Sequence, residues 1–79
     1  MLEDLSHSSH VVGLKQSLKM LSAGKVKKVY LASDADFHVS SVISDACEEN
    51  GTPLEVTLTK SELGRKCRIQ VDAAVVAIL

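Results

Sequence analysis

Seventy-nine residues, 46% of them hydrophobic, with only four glycines and one proline, describe a globular chain of one domain over residues 1–79 rather than a disordered one. A chain of this length buries only about 60% of its unfolded surface, which excludes a deep cleft and a large multi-substrate active site. The net charge of −1 taken alone argues against a nucleic-acid partner.

The distribution of charge says something different from the total. All nine basic residues fall in two windows, Lys15, Lys19, Lys25, Lys27 and Lys28 in the first and Lys60, Arg65, Lys66 and Arg68 in the second, and no acidic residue lies between Leu5 and Ser33. A basic patch attracts an anion whatever the net charge, provided the fold brings the windows together. Cys47 and Cys67 are twenty residues apart and belong to no C-x-x-C pair, so they read as free thiols of a reducing compartment. The start, "MLEDLSHSS", lacks the apolar core of a signal peptide, and the longest apolar run, "AAVVAIL", is far short of the roughly 20 residues needed to span a bilayer. The expectation is a cytoplasmic protein with no membrane association.

In chain order, Leu2 to Ser6 suits one helical turn and His10 to Val12 a short strand. From Gly13 to Ala23, Leu14, Leu18 and Leu21 recur at helical spacing, with Lys15, Gln16, Lys19 and Ser22 on the opposite face and Ala23-Gly24 as a stop. "VKKVYLAS" (Val26 to Ser33) is a strand ending in a polar corner. Asp36 is placed to cap a second helix whose apolar stripe is Val39, Val42, Ile43, Ala46 and Cys47, closed by Asn50-Gly51 and Pro53. Leu54, Val56 and Leu58 alternate with Glu55 and Thr57, a half-exposed strand near a sheet edge. Thr59 and Glu62 form a T-x-x-E capping box for a short helix to about Lys66. Val71 to Leu79 is apolar on both faces, as a strand covered on both sides must be. This alternation predicts an α/β fold, a three-layer α/β/α sandwich around a mixed sheet of about four strands. The turn after Val12 and the loop from Cys67 to Gln70 are candidates to converge at one end of that sheet.

A helix beginning at Gly13 offers free N–H groups and a partial positive charge, and Lys15, Gln16 and Lys19 add two charges and an amide on one face. The competing reading is an ordinary solvated helix surface. "LGRKCRIQ" interleaves Arg65, Lys66 and Arg68 with Cys67 and Ile69. In a loop this grips phosphates and packs against an unstacked base; at a helix end it complements the dipole. Cys67, beside those cations, is also a candidate for a lowered thiol pKa, whereas Cys47 reads as core. Tyr30 and Phe37 are the only aromatics, so recognition through base–aromatic stacking is not expected. "LASDADF" places Asp34 and Asp36 as phosphoryl-transfer enzymes place their carboxylates, but a strand corner with Asp36 as helix cap is the favoured reading. His7, His10 and His38 have no cysteine or carboxylate partners at ligand spacing, and no metal or other cofactor is expected.

The pieces "VVGLKQSLKML", "GKVKKVYLASDAD", "ELGRKC" and "DAAVVAIL", in this order from about Val11 to Leu79, resemble the ribosomal-protein family of kink-turn binders, the seven-Ae and thirty-e proteins of the large subunit, and its short bacterial members most of all. The resemblance implies a single RNA-binding α/β/α sandwich. Its ligand is a bend in a helical stem flanked by tandem sheared G·A pairs. The family's motif is Gly, any residue, Asn, Glu, with a Lys three positions later. Gly13 matches the glycine, Lys15 stands at the Asn position, Gln16 at the Glu position, and Lys19 matches the lysine. The second family contact, a loop covering bulged nucleotides, corresponds to Arg65, Lys66, Cys67, Arg68 and Ile69, with Lys60 heading the same basic window. Arg68 stands where glycine is common and Phe37 where proline is common.

These readings imply a non-enzymatic monomer that binds kink-turn RNA, in ribosomal RNA or structured messenger RNA, and stabilises the bent form, with the ribosome as a possible site of action. The rivals are a protein-interaction adaptor and a small Asp-dependent phosphoryl-transfer enzyme.

Overall fold

The computed structural model describes residues 9–67 and 72–79; the helical turn expected at Leu2 to Ser6 lies outside them. The elements, in order, are β1 (His10–Val12), α1 (Leu14–Ser22), β2 (Lys28–Leu31), α2 (Phe37–Asn50), β3 (Leu54–Val56), α3 (Lys60–Lys66) and β4 (Val75–Ile78). The strands form one mixed sheet in the order β1-β4-β2-β3. β4 runs antiparallel to both β1 and β2, and β3 lies parallel to β2 at the edge.

The two faces of the sheet bury different side chains because successive residues of a strand point to opposite sides. Val29 and Leu31 of β2 and Val75 and Ala77 of β4 pack with Leu21 of α1 and with Ile43 and Cys47 of α2. Tyr30, Ala32, Val76 and Ile78 pack instead with Leu63 and Cys67 at α3. Thus α1 and α2 cover one face and α3 the other, which is the predicted three-layer arrangement with a four-stranded mixed sheet. β4 is buried at all four positions, which accounts for the apolar character of Val75 to Ile78.

Three predicted strands are shorter than their sequence runs: β2, β4 and β3, which ends at Val56 and not at Leu58. The ladder between β2 and β4 pairs Lys28 with Ile78 and Leu31 with Val75, so each strand is only as long as its partner allows. Beyond it the chain stays bonded, with the Ala32 N–H donating to the Ala74 carbonyl at 2.8 Å. The capping box of α3 forms as the T-x-x-E spacing requires: the Glu62 N–H donates to Thr59 Oγ1 at 3.3 Å, and the Thr59 N–H donates to Glu62 Oε1 at 3.0 Å. Asp36 occupies the N-cap position of α2 but its side chain makes no cap hydrogen bond, so it supplies the backbone turn and not the expected acceptor.

Candidate nucleic-acid interface

β1 and β2 both run against β4, and β3 runs with β2, so β1, β2 and β3 end at the same edge of the molecule. Each is followed within a few residues by a helix, and α1, α2 and α3 therefore all begin at that edge. The residues leading into β4 tie these starts together. The Gly13 N–H donates to the Val75 carbonyl at 2.8 Å, and the Ala73 N–H donates to the Lys60 carbonyl at 3.0 Å.

Gly13 makes the connection from β1 to α1 by itself. Its φ of 103° and ψ of 155° lie in a region essentially restricted to glycine. A Cβ built there meets nothing within 4 Å, so the requirement is one of backbone conformation and not of space. The sharp turn points the first turn of α1 outward, with Lys15, Gln16 and Lys19 all exposed. No side chain caps α1 and its first turn carries no acid. Its leading N–H groups and dipole therefore act in concert with Lys15, while Lys19 stands on the same exposed face in the last turn of the helix.

The start of α3 is the opposite case. The Lys60 N–H donates to Asp34 Oδ1 at 2.7 Å, and the capping box occupies further donors and acceptors. Asp34 is thereby engaged as a cap for a distant helix, which agrees with the strand-corner reading of "LASDADF" and not with a phosphoryl-transfer pair. The Thr59 backbone and hydroxyl hydrogen bonds hold the Glu62 carboxyl below the ordinary glutamate range.

The two basic windows meet only in part. Lys15, Lys19 and Lys60 belong to helices starting at the same edge. Arg65 and Lys66 are exposed in the last turn of α3, where they complement its dipole; they are helical and not in a loop. Arg68 and Ile69 lie outside the described residues. Lys28 opens β2, and the Lys27 N–H donates to the carbonyl of Ile78 at the end of β4. Lys25, Lys27 and Lys28 thus lie toward the opposite edge. The Lys28 charge is further engaged by Glu55, with Nζ to Oε1 at 2.7 Å, and sits 4.9 Å from the centre of the Tyr30 ring. Glu55 in particular raises the Lys28 pKa.

Cys67 corrects one expectation. Its residue is 7% exposed and packs in the core beside Leu63, and burial pushes its thiol pKa up where the neighbouring cations had suggested a fall. It offers no activated thiol to a ligand and acts as the core anchor at the end of α3. Cys47 is core, as read from its stripe, and its thiol pKa is raised for the same reason.

Three features escaped sequence reasoning. The Asp34 cap joins residues too far apart for any local pattern. Ser17, on α1, is completely buried and its Oγ has no hydrogen-bond partner; its spacing, three residues after Leu14 and four before Leu21, was the available signal. Phe37 lies at the first position of α2 with its side chain in solvent. Among the described residues, no helix is long and apolar enough to cross a membrane.

Fold and site together define a small α/β/α module that presents an uncapped, basic helix start at one edge of a mixed sheet. The chain belongs to the ribosomal protein L7Ae/L30e/S12e/Gadd45 family, which it matches over residues 3–79. It is 49% identical over 67 residues to an RNA-binding protein of Caldanaerobacter subterraneus subsp. tengcongensis, covering 85% of this chain and 82% of that one. It is 39% identical to an RNA-binding protein of Geobacillus kaustophilus over 87% of this chain and 84% of the relative. Among solved structures, the 15.5kD RNA binding protein of Giardia lamblia superposes with a TM-score of 0.90 at 30% identity, covering 98% of this chain and 68% of that one.

Proposed function

We propose that the protein binds structured RNA at kink-turns and holds the bent conformation, as a cytoplasmic monomer acting on ribosomal RNA or structured messenger RNA. Membership of the family and the RNA-binding relatives support RNA as the ligand and binding, not catalysis, as the activity. The observation that carries the finer reading is the start of α1, where Gly13 turns an uncapped helix outward with Lys15, Gln16 and Lys19 exposed. Side chains do not reach base edges in the narrow major groove of regular A-form RNA, so a helix that reads edges needs a groove opened by a bend. Lys15 and Lys19 then meet phosphates and base edges, and Gln16 supplies both a donor and an acceptor. Lys60 adds charge from the start of α3, while Arg65, Lys66, Arg68 and Ile69 meet the bulged nucleotides and Cys67 packs in the core at the end of α3. Preferential binding to the bent form shifts the RNA population toward it.

The test is titration into a labelled stem carrying a kink-turn, beside the same stem with its G·A pairs replaced by Watson–Crick pairs. Tight binding to the first alone, with bending, is expected. Equal weak binding to both would reduce the interface to general electrostatics and favour an adaptor role.

A further inference from the structure

The described surface exposes two large apolar residues, Phe37 at 87% and Val56 at 58%, and both lie at the edge where the helices begin. Phe37 is the first residue of α2. Val56 ends β3 and pairs in register with Leu31, which places it on the sheet face covered by α1 and α2. The chain's other aromatic, Tyr30, is wholly buried. Nothing in helix formation calls for phenylalanine at a first position, where proline and acidic residues are the favoured choices.

Residues leading into β4 bring the exit of β2, from which the chain departs toward Phe37, near the start of α1. Val75 accepts from Gly13 and its neighbour Ala74 accepts from Ala32. The chain entering α1 and the chain leaving β2 toward Phe37 therefore flank the same short segment, about 10 Å apart at two strand spacings. The surroundings favour a base over a phosphate. Asp36 precedes Phe37 and Asp34 lies two residues earlier, both exposed, and their carboxylates repel a backbone phosphate while accepting hydrogen bonds from exocyclic amino groups. Two exposed apolar residues also fall far short of a protein–protein interface, which takes about 800 Å² per partner.

We propose that Phe37 stacks on an unpaired nucleobase of the bound RNA, next to the nucleotides read by α1, with Val56 flanking the platform. This rests on the protein being the RNA binder argued above. It reverses the expectation that stacking plays no part, because one of the two aromatics is held out of the core.

The experiment compares the full chain with Phe37→Ala, Phe37→Tyr and Lys19→Ala on the kink-turn stem, with 2-aminopurine substituted in turn at each unpaired nucleotide. Stacking predicts that Phe37→Ala weakens binding about 5- to 100-fold, that Phe37→Tyr restores it, and that the salt dependence is unchanged. One 2-aminopurine position should be quenched by the wild-type and Phe37→Tyr chains and not by Phe37→Ala. Since Phe37 is in solvent, the melting temperature should not move. Wild-type affinity in Phe37→Ala alongside weakened binding in Lys19→Ala would overturn the stacking contact and leave the RNA reading intact. Loss of binding with a reduced salt dependence would also overturn it, as Phe37 would then act through its charged neighbours. Failure of the wild-type chain to bind any stem would overturn both readings.

Discussion

Asp34 and Lys60, separated by 26 positions, are joined by a 2.7 Å hydrogen bond from the Lys60 backbone N–H to Asp34 Oδ1. The bond fastens the corner after β2 to the start of α3, across the two faces of the sheet. Asp34→Ala should destabilise the protein by about 0.5–2 kcal/mol, the range for losing a helix cap, and Asp34→Asn should retain much of it. Proline is tolerated at the first helical position and has no N–H to donate. In a Lys60→Pro background Asp34→Ala should therefore cost almost nothing, and a double-mutant cycle by urea denaturation checks this.

Gly13→Ala should lower stability by about 1–3 kcal/mol, because alanine cannot hold this backbone conformation without strain. For a domain this small each 1 kcal/mol moves the melting temperature by about 4–8 °C. Thermal unfolding followed by circular dichroism reads the effect. An unchanged melting temperature would mean that α1 can start without the positive φ.

Lys19→Ala should weaken RNA binding while leaving stability within about 0.5 kcal/mol, as for other exposed positions. If Lys19 neutralises one phosphate, the log–log slope of affinity against salt should fall by about 0.7 to 0.9. Titrations at several salt concentrations decide this, and an unchanged slope would remove Lys19 from the phosphate contacts.

Ser17→Ala should stabilise the protein. The buried Oγ has no partner, and such a group carries a penalty of about 1–3 kcal/mol, while alanine is also the better helix former. A higher urea midpoint at unchanged slope is the expected result. A lower midpoint would show that the hydroxyl bonds to an internal water.

Glu62 sets the response to acid. Hydrogen bonds from the Thr59 backbone and hydroxyl depress its pKa in the folded protein, so it is harder to protonate folded than unfolded. Its contribution is complete above the unfolded value and is lost as pH falls through the lower, folded one. The wild-type melting temperature should therefore decline faster than that of Glu62→Gln below the ordinary glutamate range. An NMR titration placing the Glu62 carboxyl at or above that range would contradict the capping geometry.

Local patterns were legible wherever the determining residues were neighbours. The capping box at Thr59 and Glu62, the glycine stop at Gly51 with its left-handed φ of 63°, and the exposed face of Lys15, Gln16 and Lys19 all follow from spacing within one or two turns. The ends of β2 and β4 did not follow, because a strand stops where its partner stops. Nor did the Asp34 cap or the separation of Lys25, Lys27 and Lys28 from Lys15, since both depend on strand order. Cys67 misled because its sequence neighbours are cations, while the direction its thiol takes is into a core those cations do not enter.

The shared starting edge of the helices has an electrical consequence independent of the side chains. Toward the far edge, Asp45, Glu48 and Glu49 offset Lys25, Lys27 and Lys28, and toward the near one Asp34, Asp36 and Glu62 offset Lys15, Lys19 and Lys60, so formal charge barely distinguishes one end from the other. The peptide dipoles do distinguish them, since the described helices all point their positive ends the same way. A nearby polyanion therefore exerts a torque that swings this edge toward it before any atom touches. Because the orienting field comes from the backbone, it does not titrate, it survives substitution of surface residues, and it is weakened chiefly by salt.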